Sequence, residues 1–234
     1  MQEIVQDSRP QMRLYDGRNQ RLYINAHERK RFLSAAHNAD QTIGNFALTL
    51  LYSGCRLSEA LALTFADLNE HGRLLSIRSL KKRKRHEMRE VPIPLKLAFD
   101  LSEMRDQLQA SNECSAAGAG AGAGGNGLWS PDGRRPSRIT GYRWIKGVMA
   151  QAGIEGAQAS PKGLRHGYGV HAICSGVQLN MLRKWMGHAS LSTTAIYANA
   201  VGKEELAIAD RMWWEQTVNF EPQGSAHQQF DHVR

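Results

Sequence analysis

Between Pro161 and Ala200 the chain reads K-x-L-R-H (Lys162–His166) and then, about twenty residues on, G-H-x-S-x-x-T-T-x-x-Y (Gly187–Tyr197). An earlier segment, Leu51–Leu68, holds Arg56 between apolar Cys55 and Leu57, with Glu59 one helical turn further along. These residue types suit a phosphate ester. Transesterifying a phosphodiester needs a nucleophile, stabilisation of a more highly charged phosphorane, and a proton donor for the leaving oxygen. A guanidinium serves the second task because its planar fork meets two phosphate oxygens at once. A phenol, with a pKa of about 10, is protonated at pH 7 and attacks only where its neighbours favour the anion. Taken singly, each residue has a plainer reading. Either arginine could be a surface charge, Glu59 an exposed helix acid, and the tyrosine of AIYAN half-buried packing. The apolar frames around both arginines, and the GHASLSTT before the tyrosine, favour chemistry.

Together these segments resemble the two conserved boxes of the tyrosine recombinase (phage integrase) family, over roughly Ala26 to Trp214. The resemblance implies a mainly α fold with a small antiparallel β-sheet, the catalytic-domain fold of that family. It implies site-specific cutting and rejoining of DNA strands through a 3′-phosphotyrosyl intermediate and a Holliday junction. The bond energy is kept in the tyrosyl link, so neither ATP nor a metal is required, and no cofactor is expected. On the matching positions, Arg56 and Arg165 are the phosphate clamp, and Tyr197 is the nucleophile that releases a 5′-hydroxyl. His188, nine residues before Tyr197, would bond a phosphate oxygen or orient the tyrosine. Glu59 would orient neighbouring basic side chains, and His166 would support the architecture. Lys162 departs from the family, most members of which carry histidine there. An ammonium donates to phosphate but is a poor base at neutral pH, so electrostatic stabilisation is its expected part.

The family's general acid is a lysine on a β-hairpin. Here Arg78–Arg89 (RSLKKRKRHEMR) holds seven Lys/Arg and one Glu. Counting forward from Arg56 favours Lys81, with Lys82 next, whereas counting back from Val91-Pro92 falls further along. Arg78, Lys82, Arg83, Lys84, Arg85 and Arg89 are expected to meet the DNA backbone, each neutralised phosphate making binding more salt-dependent. The plainer reading is a solvated basic loop.

Other chemistries find little support. P-loop, HExxH and CxxC patterns are missing, and no GxGxxG follows a strand. The Gly/Ala run at Ser115–Gly127 has no Lys-Ser/Thr after it and reads as a flexible surface loop. His166, His171 and Cys174 lie close in sequence, but a five-residue step turns a helix by about 140°, so no metal site is expected.

The elements that must position these residues follow from capping and periodicity. Asn25 and Glu28 form a capping box that opens a helix over Ala26–His37, ending near Asn38. Asp40 caps a more buried helix through Ile43, Phe46, Ala47, Leu50 and Leu51, which Gly54 closes. A short helix begins at Arg56. Leu75 and Ile77, then Val91 and Ile93, alternate with polar neighbours and predict a β-hairpin, with helix returning over Leu95–Gln109. Helical pattern then runs from Ile139 to Met212, broken at Gly153–Pro161, Gly176, Gly187 and Gly202. The last helix, Lys203–Trp214, ends in Trp213 and Trp214, which either pack on a neighbouring protomer or dock within the chain.

The 234 residues carry 30 Lys+Arg against 22 Asp+Glu, a formal net charge of +8. That excess suits a polyanion or simply a basic surface. Hydrophobic residues at 41% argue against wholesale disorder. We expect a polar lead-in (1–24), one catalytic domain (25–216) with an insertion at 115–127, and a disordered tail (217–234). No apolar run spans a membrane, MQEIVQDSRP lacks a signal-peptide core, and Cys55, Cys114 and Cys174 are scattered. A reducing cytoplasm, or the nucleoid of a prokaryote, is the expected location. The expected partners are double-stranded DNA recombination sites and, on paired sites, three further copies in a homotetramer, with a monomer in free solution left open. Family members usually carry a further helical DNA-binding domain before this one, so the chain reads as a catalytic-domain-only member. A non-catalytic DNA-binding regulator, or a degenerate remnant on the same fold, is the alternative.

Overall fold

Asn25 accepts a hydrogen bond from the Glu28 amide at 2.8 Å, and Glu28 Oε2 accepts one from the Asn25 amide at 2.9 Å. This reciprocal box opens α1 (Ala26–His37) in the computed structural model, which describes residues 12–80, 87–115, 127–130, 135–199 and 203–210. Asp40 caps α2 (Gln41–Ser53), and α3 (Leu57–Leu61) follows directly. A three-stranded antiparallel sheet comes next: β1 (Leu68–Asn69), β2 (Leu74–Arg78) and β3 (Met88–Pro92), in that order. Its register sets Leu75 opposite Val91 and Ile77 opposite Arg89. Helices complete the fold: α4 (Leu95–Ser115), α5 (Arg138–Gln151), α6 (Pro161–Cys174), α7 (Leu179–Met186), α8 (Leu191–Ala195) and α9 (Lys203–Ala209).

The larger core joins α1 to α5 with the inner face of the sheet, centred on Phe32, Phe46, Leu75, Ile77, Leu97, Trp129 and Ile145. Phe46 meets Trp129 edge-on at 5.1 Å, and Trp129 Nε1 donates to the Ala60 carbonyl at 2.7 Å. That bond anchors α3 to the core and so steadies the base of the site. A smaller apolar cluster brings Leu14, Tyr23, Tyr168, Val170, Leu182, Met186 and Tyr197 together.

Residues 12–24, expected as a polar lead-in, are built into the fold from their described start. Leu14, Tyr23 and Ile24 are buried, the Ile24 amide donates to the Gly163 carbonyl at 3.2 Å, and Arg21 grips Glu28 with two nitrogens at 2.6 and 3.0 Å. A single antiparallel bridge joins Tyr15 to Arg21. Helix α4 runs to Ser115, past its expected end at Gln109. The rest of the Gly/Ala loop, Trp213, Trp214 and the tail lie outside the described residues. Among the described residues no helix is long and apolar enough to cross a membrane.

Candidate active site

Gly54 ends α2 in the left-handed region, φ 58°, and a Cβ there would come within 2.2 Å of the Tyr168 ring. Only glycine makes this turn without strain, and the turn delivers Arg56 to the start of α3. The Arg56 amide and Nη1 donate to the two oxygens of Glu59 at 3.0 and 2.7 Å. Glu59 is only 2% exposed and takes a further bond, at 2.6 Å, from Arg89 Nη2. Burial alone would raise the Glu59 carboxyl; the charge and hydrogen bond of Arg89, with Arg56 behind them, outweigh it and hold the carboxyl below its ordinary value.

This carboxylate is therefore a stabilising group whose contribution has a definite pH sign. Its folded pKa is depressed, so the contribution is complete above the unfolded value of about 4.3 and is lost as pH falls towards the folded one. Glu59→Gln leaves Arg89 buried opposite a neutral group and is expected to cost about 3 kcal/mol, or roughly 10 °C in melting temperature. Melting curves between pH 7 and pH 3 check this. The variant should lose part of the acid sensitivity of the wild-type chain, and an unchanged melting temperature at pH 7 contradicts the pairing.

Helix α6 starts with Ser160 accepting from the Gly163 amide at 3.1 Å and Pro161 in its first turn. Lys162, Arg165, His166 and Gly169 then fall on one face, three and four residues apart. Arg165 donates through Nη1 to the Gly54 carbonyl and through Nη2 to the Met186 carbonyl at 2.7 Å. Arg89 Nε donates to the Trp185 carbonyl at 2.8 Å. Two guanidinium groups thus satisfy the last carbonyls of α7, which would otherwise be orphaned at the negative end of that helix. His188, two residues on, inherits its position from these bonds. Burial, with the charge of Arg56 added, brings Arg165 down to about 10, so it remains charged at pH 7.

Tyr197 lies in the 3₁₀ turn Ile196–Asn199 and is fully buried. Its ring stacks on His188 at 6.2 Å with 14° between planes, and its hydroxyl lies 3.2 Å from His166 Nδ1. His188 Nδ1 in turn lies 3.0 Å from the Thr194 hydroxyl, in the STT that precedes the tyrosine. Burial pushes the Tyr197 phenol up to about 12, against the opposing charges of Arg165 and Arg56. It is a neutral phenol at pH 7. Gly169 on α6 makes room for it, since a Cβ there would stand 2.6 Å from the tyrosine ring. Gly169→Ala should therefore displace Tyr197, at a cost of about 1–3 kcal/mol. Nitration by tetranitromethane, mapped by mass spectrometry, should find Tyr197 protected in the wild-type chain and reactive in the variant. Equal protection in both would show that the ring is not seated on Gly169.

Arg56, Lys162, Arg165 and His166 line one cleft of about 400 Å³, so four basic residues from two distant segments face a volume fit for a phosphate and its neighbours. Lys162 is exposed there. Arg138 and Tyr142 of α5 line the same cleft and were missed by the sequence reading, because nothing local separates a basic helix-start residue from an ordinary surface charge. His188 lines a neighbouring cleft of about 610 Å³ between β2, β3 and α7, with Ser79, Arg183 and Lys184. Arg78 is exposed at the end of β2. Lys81, Lys82, Arg83, Lys84 and Arg85 lie outside the described residues.

Arg89 corrects an expectation. Assigned to the DNA backbone with the rest of the basic run, it is 7% exposed and committed to Glu59 and the Trp185 carbonyl. Side chains alternate along a strand, and Val91 on the same strand is buried, so position 89 must also face inward. The parity was readable in the sequence. The charge obscured it.

A sequence model described as "Phage integrase family" matches residues 23–204. The tyrosine recombinase XerD of Rhizobium meliloti (strain 1021) is 32% identical over 155 residues, 66% of this chain and 46% of the relative. The tyrosine recombinase XerA of Pyrococcus furiosus is 30% identical over 173 residues, 74% of this chain and 55% of the relative. The chain thus spans about half the length of the curated relatives it matches. Among solved structures, XerA recombinase superposes with a TM-score of 0.66 at 22% identity, over 83% of this chain and 64% of the other. The catalytic domain of bacteriophage HP1 integrase gives 0.53 at 20% identity, over 80% of this chain and 93% of that domain. These two likenesses establish the fold.

Proposed function

The chain belongs to the phage integrase family, and from that membership we propose that it cuts and rejoins DNA strands at specific sites through a covalent bond to Tyr197. The observation that carries the proposal is the convergence of Arg56, Lys162 and Arg165 on one cleft, with the Tyr197 hydroxyl against His166 of that cleft and its ring stacked on His188. Arg56 and Arg165 hold the scissile phosphate and stabilise the phosphorane, Glu59 fixes the fork of Arg56, and Lys162 adds positive charge. His188 orients the tyrosine or bonds a phosphate oxygen. Tyr197 attacks phosphorus, leaving a 3′-phosphotyrosyl link, and a hairpin lysine, Lys81 or else Lys82, protonates the departing 5′-oxygen. The ester energy stays in the tyrosyl link, so the cycle draws on neither ATP nor metal.

Arg78, Lys82, Arg83, Lys84 and Arg85 are assigned to the DNA backbone. The XerH site-specific recombinase was crystallised "bound to difH substrate", which supports a DNA site as the partner. A homotetramer on paired sites, and a place in the cytoplasm (at the nucleoid in a prokaryotic host), belong to the proposal through the family resemblance alone. The complete burial of Tyr197 favours a second reading, a DNA-binding regulator that does not cut. One experiment separates the two. A site selected from random-sequence DNA by binding to this chain is nicked so that cleavage traps the complex, and any DNA-linked peptide is identified by mass spectrometry. The recombinase reading expects DNA on the peptide that contains Tyr197. Tight binding with no adduct supports the regulator.

A further inference from the structure

We propose that His166 is a catalytic residue, the acceptor of the Tyr197 proton when the tyrosine attacks; this rests on the reading of Tyr197 as nucleophile. The His166 Nδ1 lies 3.2 Å from the Tyr197 hydroxyl, and both residues are buried. Lys162, at the head of the same box, is exposed, and its ammonium has no lone pair with which to accept a proton. His166 also lines the cleft that Arg56 and Arg165 share. The acceptor therefore stands at the boundary between the buried phenol and the place of the phosphate. Its second nitrogen, Nε2, is buried with no hydrogen-bond partner among the described residues. Such a group is costly unless it has work to do.

Burial, with the charges of Lys162 and Arg165, brings the imidazole down to about 4. It is therefore neutral at pH 7 and keeps a lone pair, on Nδ1 when the hydrogen sits on Nε2. A phosphate between Arg56 and Arg165 offsets the two cationic causes of that depression and strengthens the base as the reaction begins. In the step itself the Tyr197 oxygen bonds to phosphorus while its proton passes to His166 Nδ1. The bond from phosphorus to the 5′-oxygen breaks, and that oxygen takes its proton from the hairpin lysine. Religation runs the same transfers backwards, with His166 returning the proton to the phenol.

The test compares two phenols. His166→Asn and His166→Gln place a non-basic acceptor near the tyrosine, and difluorotyrosine at position 197, introduced by codon suppression, supplies a more acidic nucleophile. Adduct formation is timed in a single turnover on the selected, nicked duplex, with DNA affinity measured alongside. Each substitution at His166 should slow cleavage roughly 10²–10⁴-fold with affinity unchanged, and difluorotyrosine should recover most of that loss. An equal loss with both phenols, or cleavage at the wild-type rate, overturns the proposal in favour of a structural hydrogen bond. Should neither variant fold, ¹⁵N spectra of the wild-type chain decide, since a hydrogen on Nδ1 overturns it and a bare Nδ1 supports it. Absence of adduct with the wild-type chain would overturn the nucleophile reading first, and this inference with it.

Discussion

A Tyr197→Phe chain is expected to fold, to bind its selected DNA as tightly as before, and to leave no protein on it. The substitution removes one hydroxyl. The ring keeps its seat among Leu14, Tyr168, Leu182 and Met186 and its stack on His188. What is lost in the free protein is the bond to His166 Nδ1, worth about 1 kcal/mol, so the melting temperature should fall by only a few degrees. Cleavage needs the missing oxygen itself, so adduct should fall roughly a thousandfold or more. Gel separation of denatured protein–DNA species measures it. Adduct at an undiminished rate would place the nucleophile elsewhere.

Arg165→Ala should damage both the chemistry and the fold. The wild-type guanidinium is buried, still charged at pH 7, and lines the cleft with Arg56. Removing a preorganised donor to a developing oxyanion costs roughly 10²–10³ in rate. The same substitution strips the donors from the Gly54 and Met186 carbonyls, each worth about 1–3 kcal/mol when left buried and unpaired. Arg165→Lys restores the charge but not the fork that spans two carbonyls, so it should recover part of the rate and little of the stability. Single-turnover rates and urea unfolding of the two variants check the split. Equal stability of all three chains would contradict the bridging role.

The local elements were legible because their causes are local. A capping box needs residues three apart, and Asn25 and Glu28 form theirs as read. The turn at Gly54 and the hairpin alternation of Leu75, Ile77 and Val91 needed no distant information either. The candidate site was legible as a set of residue types, since Arg56, Arg165, His188 and Tyr197 fall at the order and spacing of the boxes that the chain shares with the phage integrase family. Their mutual geometry was not. Nothing in the interval between His166 and Tyr197 says that the imidazole and the phenol meet, because that contact depends on how α6 packs against the 3₁₀ turn. Arg89 shows the opposite failure. Its strand parity pointed inward, and a run of like charges invited the wrong reading.

By itself the sequence determined the fold class, the helix starts and stops, and the inventory of groups able to handle a phosphate. Each of these rests on interactions within a few residues, where chain connectivity sets the distance. Tertiary structure decided which of those groups are buried, which charges are neutralised, and which nitrogen faces the tyrosine. Those outcomes depend on desolvation and on contacts between segments tens of residues apart, such as Glu59 with Arg89 and Arg165 with the Gly54 carbonyl. A basic residue is therefore a phosphate clamp or a buried brace according to the neighbours that packing gives it.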